Sequence, residues 1–390
     1  MSVFWLALVA FAIGTEAFVI AGLLPIMAAD LNVTLAATGQ LVTVYAITYA
    51  IGSPILAVLF SNFDRRTVVS LALVCFIVGN LLAAVASTFG TLLLSRMLMA
   101  VGAGLCMPTA MAVAIAIAAP ERRGRAASLV ISGLTVATVL GVPLGTWVGS
   151  HFGWRSTFVM VAALGAVALA GLLLGLPRGL PRTAATLGQR LAVARHPEVL
   201  KTLAVTCMWG LGGFTSFTYL AVPLHRLGFD ANGISLALLV FGVAAAIGNT
   251  LGGAMSDRIG PLRTSTLGLI GMMLSLTLQS AALTFAPPAT AGVLFLVFIF
   301  TQGIAGWMFY PGQVAHLVRV TPEASVIALS LNASAMYIGF AAGSALGGVV
   351  LSTLSSNHLG WIGGCAEAAA LALVLAGHLL KRPKPAQIAG

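Results

Sequence analysis

Three charged side chains interrupt long uncharged runs in this sequence. Glu16 lies in FAIGTEAFVIAG, inside a stretch from Met1 to Ala29 with no other charged side chain; Arg96 lies in LSRMLMAVGAG and Glu367 in CAEAAALAL. An ionisable group within an apolar helix costs roughly 3 kcal/mol or more unless it is paired or wet, and by default it marks a pathway or a proton site. A carboxyl that alternates between dry and wet surroundings during a conformational cycle takes up and releases a proton. Glu16 is therefore expected to couple a cycle to protons, with Arg96 as its cation; a static bridge between two helices is the structural alternative. Glu367 divides evenly between a second proton site and a carboxyl satisfied by neighbouring helices. Asp30 is read as a loop residue, and His316 as a solvated or capping one.

The elements that must hold these groups are membrane spans. Hydrophobic residues make up 59% of the 390 and charged residues only 7%, with a mean hydropathy of +1.06; a soluble domain carries about 25% charged residues. A spanning helix needs about 20 mostly apolar residues. Twelve segments qualify: 4–28, 38–60, 67–88, 91–117, 126–149, 155–176, 200–223, 232–255, 263–286, 290–317, 325–352 and 359–380. The first lacks the basic start of a signal peptide and exceeds its apolar core in length, so it is read as retained. No soluble domain is expected outside the membrane.

Basic residues set the orientation. Of the 19 Lys and Arg, 16 fall in connections on one side, from Arg65 and Arg66 through the 178–201 connection to Lys381, Arg382 and Lys384. Arg155 and Arg226 fall on the other side and Arg96 within a helix. The bias places both termini in the cytoplasm. The pI near 10.2 is then a topology signal, with contacts to anionic lipid heads as its consequence. No basic patch or stripe speaks for nucleic acid. Four cysteines in apolar runs have no metal-ligand spacing, so neither a metal nor a cofactor is expected. A membrane enzyme would need a reactive constellation such as HExxH or GxSxG, and a primary pump a P-loop; none is present.

The polar connection from Pro177 to Lys201 divides the spans six and six: a first bundle at 1–176, a linker at 177–199 with room for a short amphipathic helix, and a second bundle at 200–390. PERRGRAASL at Pro120 reappears as PEASVIALSL at Pro322, 202 positions later, and the same offset maps Gly141 onto Gly343 and Gly145 onto Gly347. Because the repeated helices run in one direction, this is a parallel repeat about an axis along the membrane normal, the layout of a two-bundle transporter.

GGAMSDRIGPLR resembles the G-x-L-x-D-R-x-G-R-R loop of the major facilitator superfamily, with Gly253, Asp257, Arg258 and Gly260 in the matching places and Arg263 one position late. AVLFSNFDRR is a degraded first-half copy that keeps Arg65 and Arg66 but has Ser61 in place of the acid. LSRMLMAVGAG is similar to the fourth-helix pattern of drug:proton antiporters, and GLTVATVLGVPLGTWVG to their fifth-helix motif, with Gly141, Pro143 and Gly145. The likeness is closest to the sugar-efflux, arabinose-efflux and chloramphenicol-resistance branch of bacterial exporters. It implies an all-α membrane protein of twelve transmembrane helices in two pseudo-symmetric six-helix bundles, set in a bacterial inner membrane.

Glycines spaced by four, Gly141, Gly145 and Gly149 and again Gly339, Gly343 and Gly347, allow close helix packing. Their functional reading is that Pro143 bends the helix and seals the path between the bundles. A substrate cavity is expected from the amphipathic side chains Tyr45, Tyr49, Phe214, Phe217, Trp307, Tyr310 and Tyr337, with Asn249 and Asn332 to orient a polar group. Such a surface suits a small amphipathic molecule, drug or sugar. The expected function is export in exchange for protons by a monomer; an importer or facilitator would share the fold.

Overall fold

A computed structural model describes residues 2–177 and 187–379, and they form helices with no strand among them. Residues 178–186, with Arg178 and Arg182, and the basic tail with Lys381, Arg382 and Lys384, lie outside the described residues. The first six long helices are α1 (Ser2–Asp30), α2 (Leu35–Leu59), α3 (Arg65–Ala84), α4 (Phe89–Ile117), α5 (Arg123–Phe152) and α6 (Trp154–Gly175). A short helix, Leu187–Ala194, precedes α7 (Pro197–Phe217), α8 (Ala231–Ile259), α9 (Pro261–Phe285), α10 (Pro288–Val320), α11 (Ser325–Thr353) and α12 (Leu359–Leu379).

Among the described residues, eleven of these helices are long and apolar enough to cross a membrane by length and composition. The twelfth, α7, is 21 residues long. Its lower hydropathy comes from Glu198 and Lys201 in its first turns and from Thr202, Thr206, Thr215 and Ser216, which are buried against its neighbours.

Local chemistry sets the ends. Thr34, Asp64 and Asp230 each accept a hydrogen bond from a backbone N–H of the helix they precede, and Thr88 and Thr91 cap each other reciprocally. Each such cap is worth about 1 kcal/mol. Gly153 and Gly260 sit at φ +86° and +93° in the single-residue turns between α5 and α6 and between α8 and α9, conformations that a side chain would strain.

Packing repeats between the halves. In the first bundle α1 packs on α5 and α6, α2 on α4, and α3 on α4 and α6. In the second, α7 packs on α11 and α12, α8 on α10, and α9 on α10 and α12. Two seams join the bundles, α2 on α11 and α5 on α8, and they exchange places under the same half-turn. The helix directions put the starts of α1 and α7 and the loops with Arg65 and Arg258 on one face, here the terminal face. Asp30, Arg155, Arg226 and His358 lie on the opposite face.

The glycine repeat makes close helix approaches in both halves. Gly339, Gly343 and Gly347 on α11 lie against the backbone of Cys207, Leu211 and Thr215 on α7, while Gly141, Gly145 and Gly149 on α5 meet side chains of α1, Thr15, Val19 and Leu23. Asp30 corrects a sequence expectation. It is the last residue of α1, not a loop residue, and accepts hydrogen bonds from Trp154 Nε1 at 3.0 Å and Arg155 Nη1 at 2.7 Å. Arg155 Nη2 also donates to the carbonyl of Ala86 at 2.8 Å, so one guanidinium ties α1 and α6 to the turn after α3.

Candidate functional site

Glu16 stands near the middle of α1 and Arg96 in the second turn of α4, both 0% exposed, and their carboxylate and guanidinium form an ion pair. Arg96 Nε donates to the carbonyl of Leu41 at 3.2 Å, and its guanidinium carbon lies 4.4 Å from the ring centre of Tyr45. One cation thus joins α1, α2 and α4. Glu16 Oε2 and Arg96 Nη2 have no hydrogen-bond partner, so the pair is not enclosed in a wider network. Breaking such a pair leaves an uncompensated charge; in soluble proteins that costs about 3 to 5 kcal/mol.

Two residues beyond Glu16, on the reverse side of the helix turn, Phe18 enters an apolar cavity between the bundles. Its ring centre lies 6.1 Å from Phe214, 6.2 Å from Phe217, 6.3 Å from Trp307 and 6.4 Å from Phe340. Phe214 stacks on Phe340 at 3.6 Å, and Trp209, Phe241 and Met272 extend the apolar wall. Among the described residues of the first bundle, Phe18, Thr138 and Val142 reach the cavity. Thr138 belongs to a π-helical turn, Ala137–Gly141, which interrupts α5 just before Pro143. Its carbonyl faces Gly242 of α8, where a β-carbon would collide with it. The bent part of α5 is therefore both cavity wall and bundle seam, as π-turns at functional sites often are.

Amide groups stand behind the second-bundle wall. Gln279 Nε2 donates to the Phe298 carbonyl at 3.2 Å and to Gln302 Oε1 at 2.7 Å, and Gln302 lines the cavity. Asn332 is buried nearer the terminal face, where Thr206 donates to its Oδ1 at 2.8 Å and Gln313 Nε2 donates to the Thr202 carbonyl at 2.9 Å.

The sequence profile described as Major Facilitator Superfamily matches residues 6–232 and again 220–389. The chain belongs to this superfamily. Among its relatives, the MFS-type transporter YbcL of Bacillus subtilis (strain 168) is 34% identical over 363 residues, covering 93% of this chain and 91% of its own. A chloramphenicol resistance protein of Streptomyces lividans is 30% identical over 378 residues, 95% of this chain and 94% of its own. The fold is also that of a solved D-xylose–proton symporter, with a TM-score of 0.82 at 17% identity, covering 95% of this chain and 96% of the other. The protein is accordingly a multi-pass membrane transporter of small molecules.

The cavity between the bundles is lined by only some of the residues expected there. Phe214, Phe217 and Trp307 do so. Tyr45 and Tyr49, both buried, and the half-buried Tyr337 instead form a cluster across the α2–α11 seam, with Tyr49 stacked on Tyr337 at 3.8 Å and Tyr45 6.5 Å from Tyr337, and Tyr310 packs beside Trp209. Asn332 is engaged by Thr206, and Asn249 is half-buried on α8 outside the wall. Glu367 lies eight residues into α12, 0% exposed, against Gly212 of α7, with no hydrogen-bond partner for either oxygen. Sequence reading missed Phe18, Trp209, Gln302 and Phe340. Phe18 had a signal in its place beside Glu16, and Gln279 with Gln302 in being amides inside apolar spans.

The superfamily loop is placed as follows. Asp257 and Arg258 are exposed at the end of α8 and Arg263 at the start of α9, with no ion pair among the described residues. The tight approach to α10 is made by Gly252 on Met308, while Gly253, at the motif's glycine position, has nothing within 4 Å of a β-carbon. In the first half Arg65 is half-buried and Arg66 donates to the carbonyl of Leu173 in the last turn of α6, a favourable place for a cation. On the opposite face, Ser344 Oγ donates to the Gly39 carbonyl at 2.9 Å across the α2–α11 seam, beside the Tyr219 hydroxyl. His316 lies half-buried inside α10.

Proposed function

We propose that this chain is a proton-coupled exporter of small amphipathic molecules, working as a monomer in a bacterial inner membrane with its terminal face and both ends in the cytoplasm. Protons, substrate and lipid are its partners, and nucleic acid is not. Its two bundles are residues 1–176 and 200–390, joined by 177–199, and they alternate access to the cavity at Phe18. The observation that carries this reading is the placement of the Glu16–Arg96 pair on the same helix turn that gives Phe18 to the cavity.

Coupling follows from what the pair touches. Arg96 also holds Tyr45 and the Leu41 carbonyl of α2, and α2 forms a seam with the other bundle through Tyr49 and Tyr337. A proton on Glu16 neutralises its side of the pair and releases Arg96, which loosens the hold of α4 on that seam. Occupation of the cavity acts on α1 through Phe18. Proton and substrate therefore bias the same bundle movement, which is the requirement for exchange. The likeness of the fifth helix to antiporters and the chloramphenicol resistance relative favour export.

Purified protein in liposomes, offered radiolabelled chloramphenicol outside, tests the proposal. With the lumen acid, an antiporter concentrates the drug inside; a symporter does so only with the outside acid. We expect the first result, abolished by a protonophore and by Glu16→Gln. Accumulation that ignores the gradient, or that survives Glu16→Gln, overturns proton coupling through Glu16.

A further inference from the structure

Two side chains on the cavity wall, Trp209 and Gln302, carry uncommitted donors. Trp209 is 4% exposed, stacks on Phe309 at 5.0 Å and lines the cavity, yet its Nε1–H has no hydrogen-bond partner. The indole nitrogen borders Gly306, another wall residue, where a β-carbon would stand 3.9 Å from Nε1. Trp209 and Gly306 both line the cavity, so this unpaired donor lies just beneath its apolar wall.

Gln302, also 4% exposed, has its orientation fixed from behind. The Phe298 carbonyl can only accept, so the Gln279 atom 3.2 Å from it is the nitrogen. That same nitrogen donates at 2.7 Å to Gln302, which makes the receiving atom Oε1. The uncommitted end of Gln302 is therefore its NH2 group. Against these donors the wall offers one side-chain acceptor, the hydroxyl of Thr138, whose own hydrogen goes to the Thr135 carbonyl at 2.8 Å. Among the described residues no charged side chain lines the cavity; Glu16 turns to Arg96 and Glu367 lies against Gly212.

Resting on the reading of this cavity as the substrate site, we infer that it takes uncharged aromatic molecules bearing a hydrogen-bond acceptor, such as a carbonyl oxygen, which Trp209 Nε1 and Gln302 Nε2 receive. The aromatic ring from Phe18 to Phe340 holds the body of the ligand. A buried donor left unpaired is costly, and an acceptor on the ligand removes that cost. A sugar brings several hydroxyl donors that the wall cannot match. A cation would gain from the aromatic faces, but it meets two inward-pointing N–H dipoles and no carboxylate.

A matched pair of probes isolates the acceptor: tritiated 2-acetylnaphthalene and 2-isopropenylnaphthalene, which differ by a carbonyl oxygen against a methylene. Bound to the protein in lipid nanodiscs, the acetyl compound should be about fivefold tighter, the size of one neutral hydrogen bond. The ratio should fall to about one in Trp209→Phe/Gln302→Leu. It should also fall in Gly306→Ala, which keeps the indole and adds a methyl 3.9 Å from its Nε1, with the movable Met272 side chain giving way at 3.2 Å. In the unaltered protein, the indole N–H resonance of Trp209, assigned by its loss in Trp209→Phe, should move downfield with the acetyl probe only. Tetraphenylphosphonium and D-glucose should displace neither.

Equal affinities with an unmoved Trp209 resonance overturn the inference and leave the cavity as a substrate site. Displacement by tetraphenylphosphonium at lower concentration than the acetyl probe overturns it in favour of cations. Failure of both probes to bind a protein that still concentrates chloramphenicol overturns the ligand class alone; failure of binding and transport together overturns both readings.

Discussion

Gly14 on α1 faces Leu134 and Ala137 of α5, and Gly210 on α7 faces Met336 and Gly339 of α11, their counterparts 202 positions later. Helices α1 and α7 therefore correspond at an offset of 196, and their chemistry can be compared position by position. Phe18 corresponds to Phe214, and the two rings meet 6.1 Å apart across the axis between the bundles. Glu16 corresponds to Gly212, where no side chain stands; the nearby carboxyl is Glu367, brought over Gly212 by α12. The first bundle buries an ion pair and one amide, Asn80, whereas the second buries four amides, Gln279, Gln302, Gln313 and Asn332, with the unpaired carboxyl of Glu367, and supplies most of the cavity wall. Packing is repeated and chemistry is not. On the function proposed above, an ion pair in the first half and a wall supplied mostly by the second would divide coupling from recognition.

The largest expected effect breaks this division at its ionic end. Glu16→Gln should reduce pH-driven accumulation to leak level and lower thermal stability, because Arg96 is left buried without its partner, a loss of about 3 to 5 kcal/mol if no water enters. Glu16→Gln/Arg96→Leu should regain much of the stability and none of the coupling. Glu367→Gln has no ion pair to break and should keep accumulation within about tenfold, or about 1.4 kcal/mol. Equal losses from Glu16→Gln and Glu367→Gln would place coupling in both halves; recovery of coupling in the double variant would make the pair purely structural.

A second contrast lies in the repeated glycines. A β-carbon at Gly343 meets the carbonyl and α-carbon of Leu211, whereas one at Gly141 meets the Thr15 side chain. Side chains rotate and backbones do not. Gly343→Ala should therefore cost about 2 to 3 kcal/mol, the upper range for overpacking, and Gly141→Ala about 1 kcal/mol. Unfolding midpoints of the two variants measure this, and an equal cost would mean that α1 and α7 are held with the same rigidity.

Much of the fold was legible because lipid imposes a simple rule: spans must be long, apolar and helical. Eleven spans stand out by composition, and α7 is harder to read because Glu198, Lys201 and its hydroxyl residues dilute it. The Glu16–Arg96 pair was legible because a buried charge needs an opposite one. The cavity was not, because an aromatic in a span looks alike whether it faces a ligand, a seam or a helix core. Tyr49 and Tyr337 have the composition of a wall and stack on each other instead, while the one mark of Phe18 is its place two residues from Glu16. Asp30 shows the same limit at a helix end, where only the three-dimensional neighbour Arg155 reveals its role.

The smallest expected effect concerns the loops of the terminal face. In the resembled family the loop acid caps a neighbouring helix and pairs with loop arginines when the cytoplasmic side is closed. Here the bundles are joined across the α2–α11 seam on the opposite face, and Asp257 and Arg258 are exposed. That is the state in which the acid would be disengaged. A carboxylate at a helix N-terminus contributes about 0.3 to 1 kcal/mol when exposed and up to about 2 when partly buried, and about 1.4 kcal/mol is a tenfold change in population. Asp257→Asn should then move the balance toward the present state by up to about tenfold and slow cycling, with affinity at the cavity nearly unchanged. The first-half loop works differently. Its acid is Asp64, which caps α3 by accepting from Thr67 N at 3.3 Å, and Arg66 closes the end of α6; both contacts lie within one bundle and do not distinguish two states. Ser61→Ala should therefore leave the populations unmoved. Spin-label distances across the terminal face report the balance, and equal, negligible shifts for the two variants would remove the asymmetry between the loops. Reduced yield of Asp257→Asn with unchanged turnover per folded molecule would assign Asp257 to loop structure during insertion.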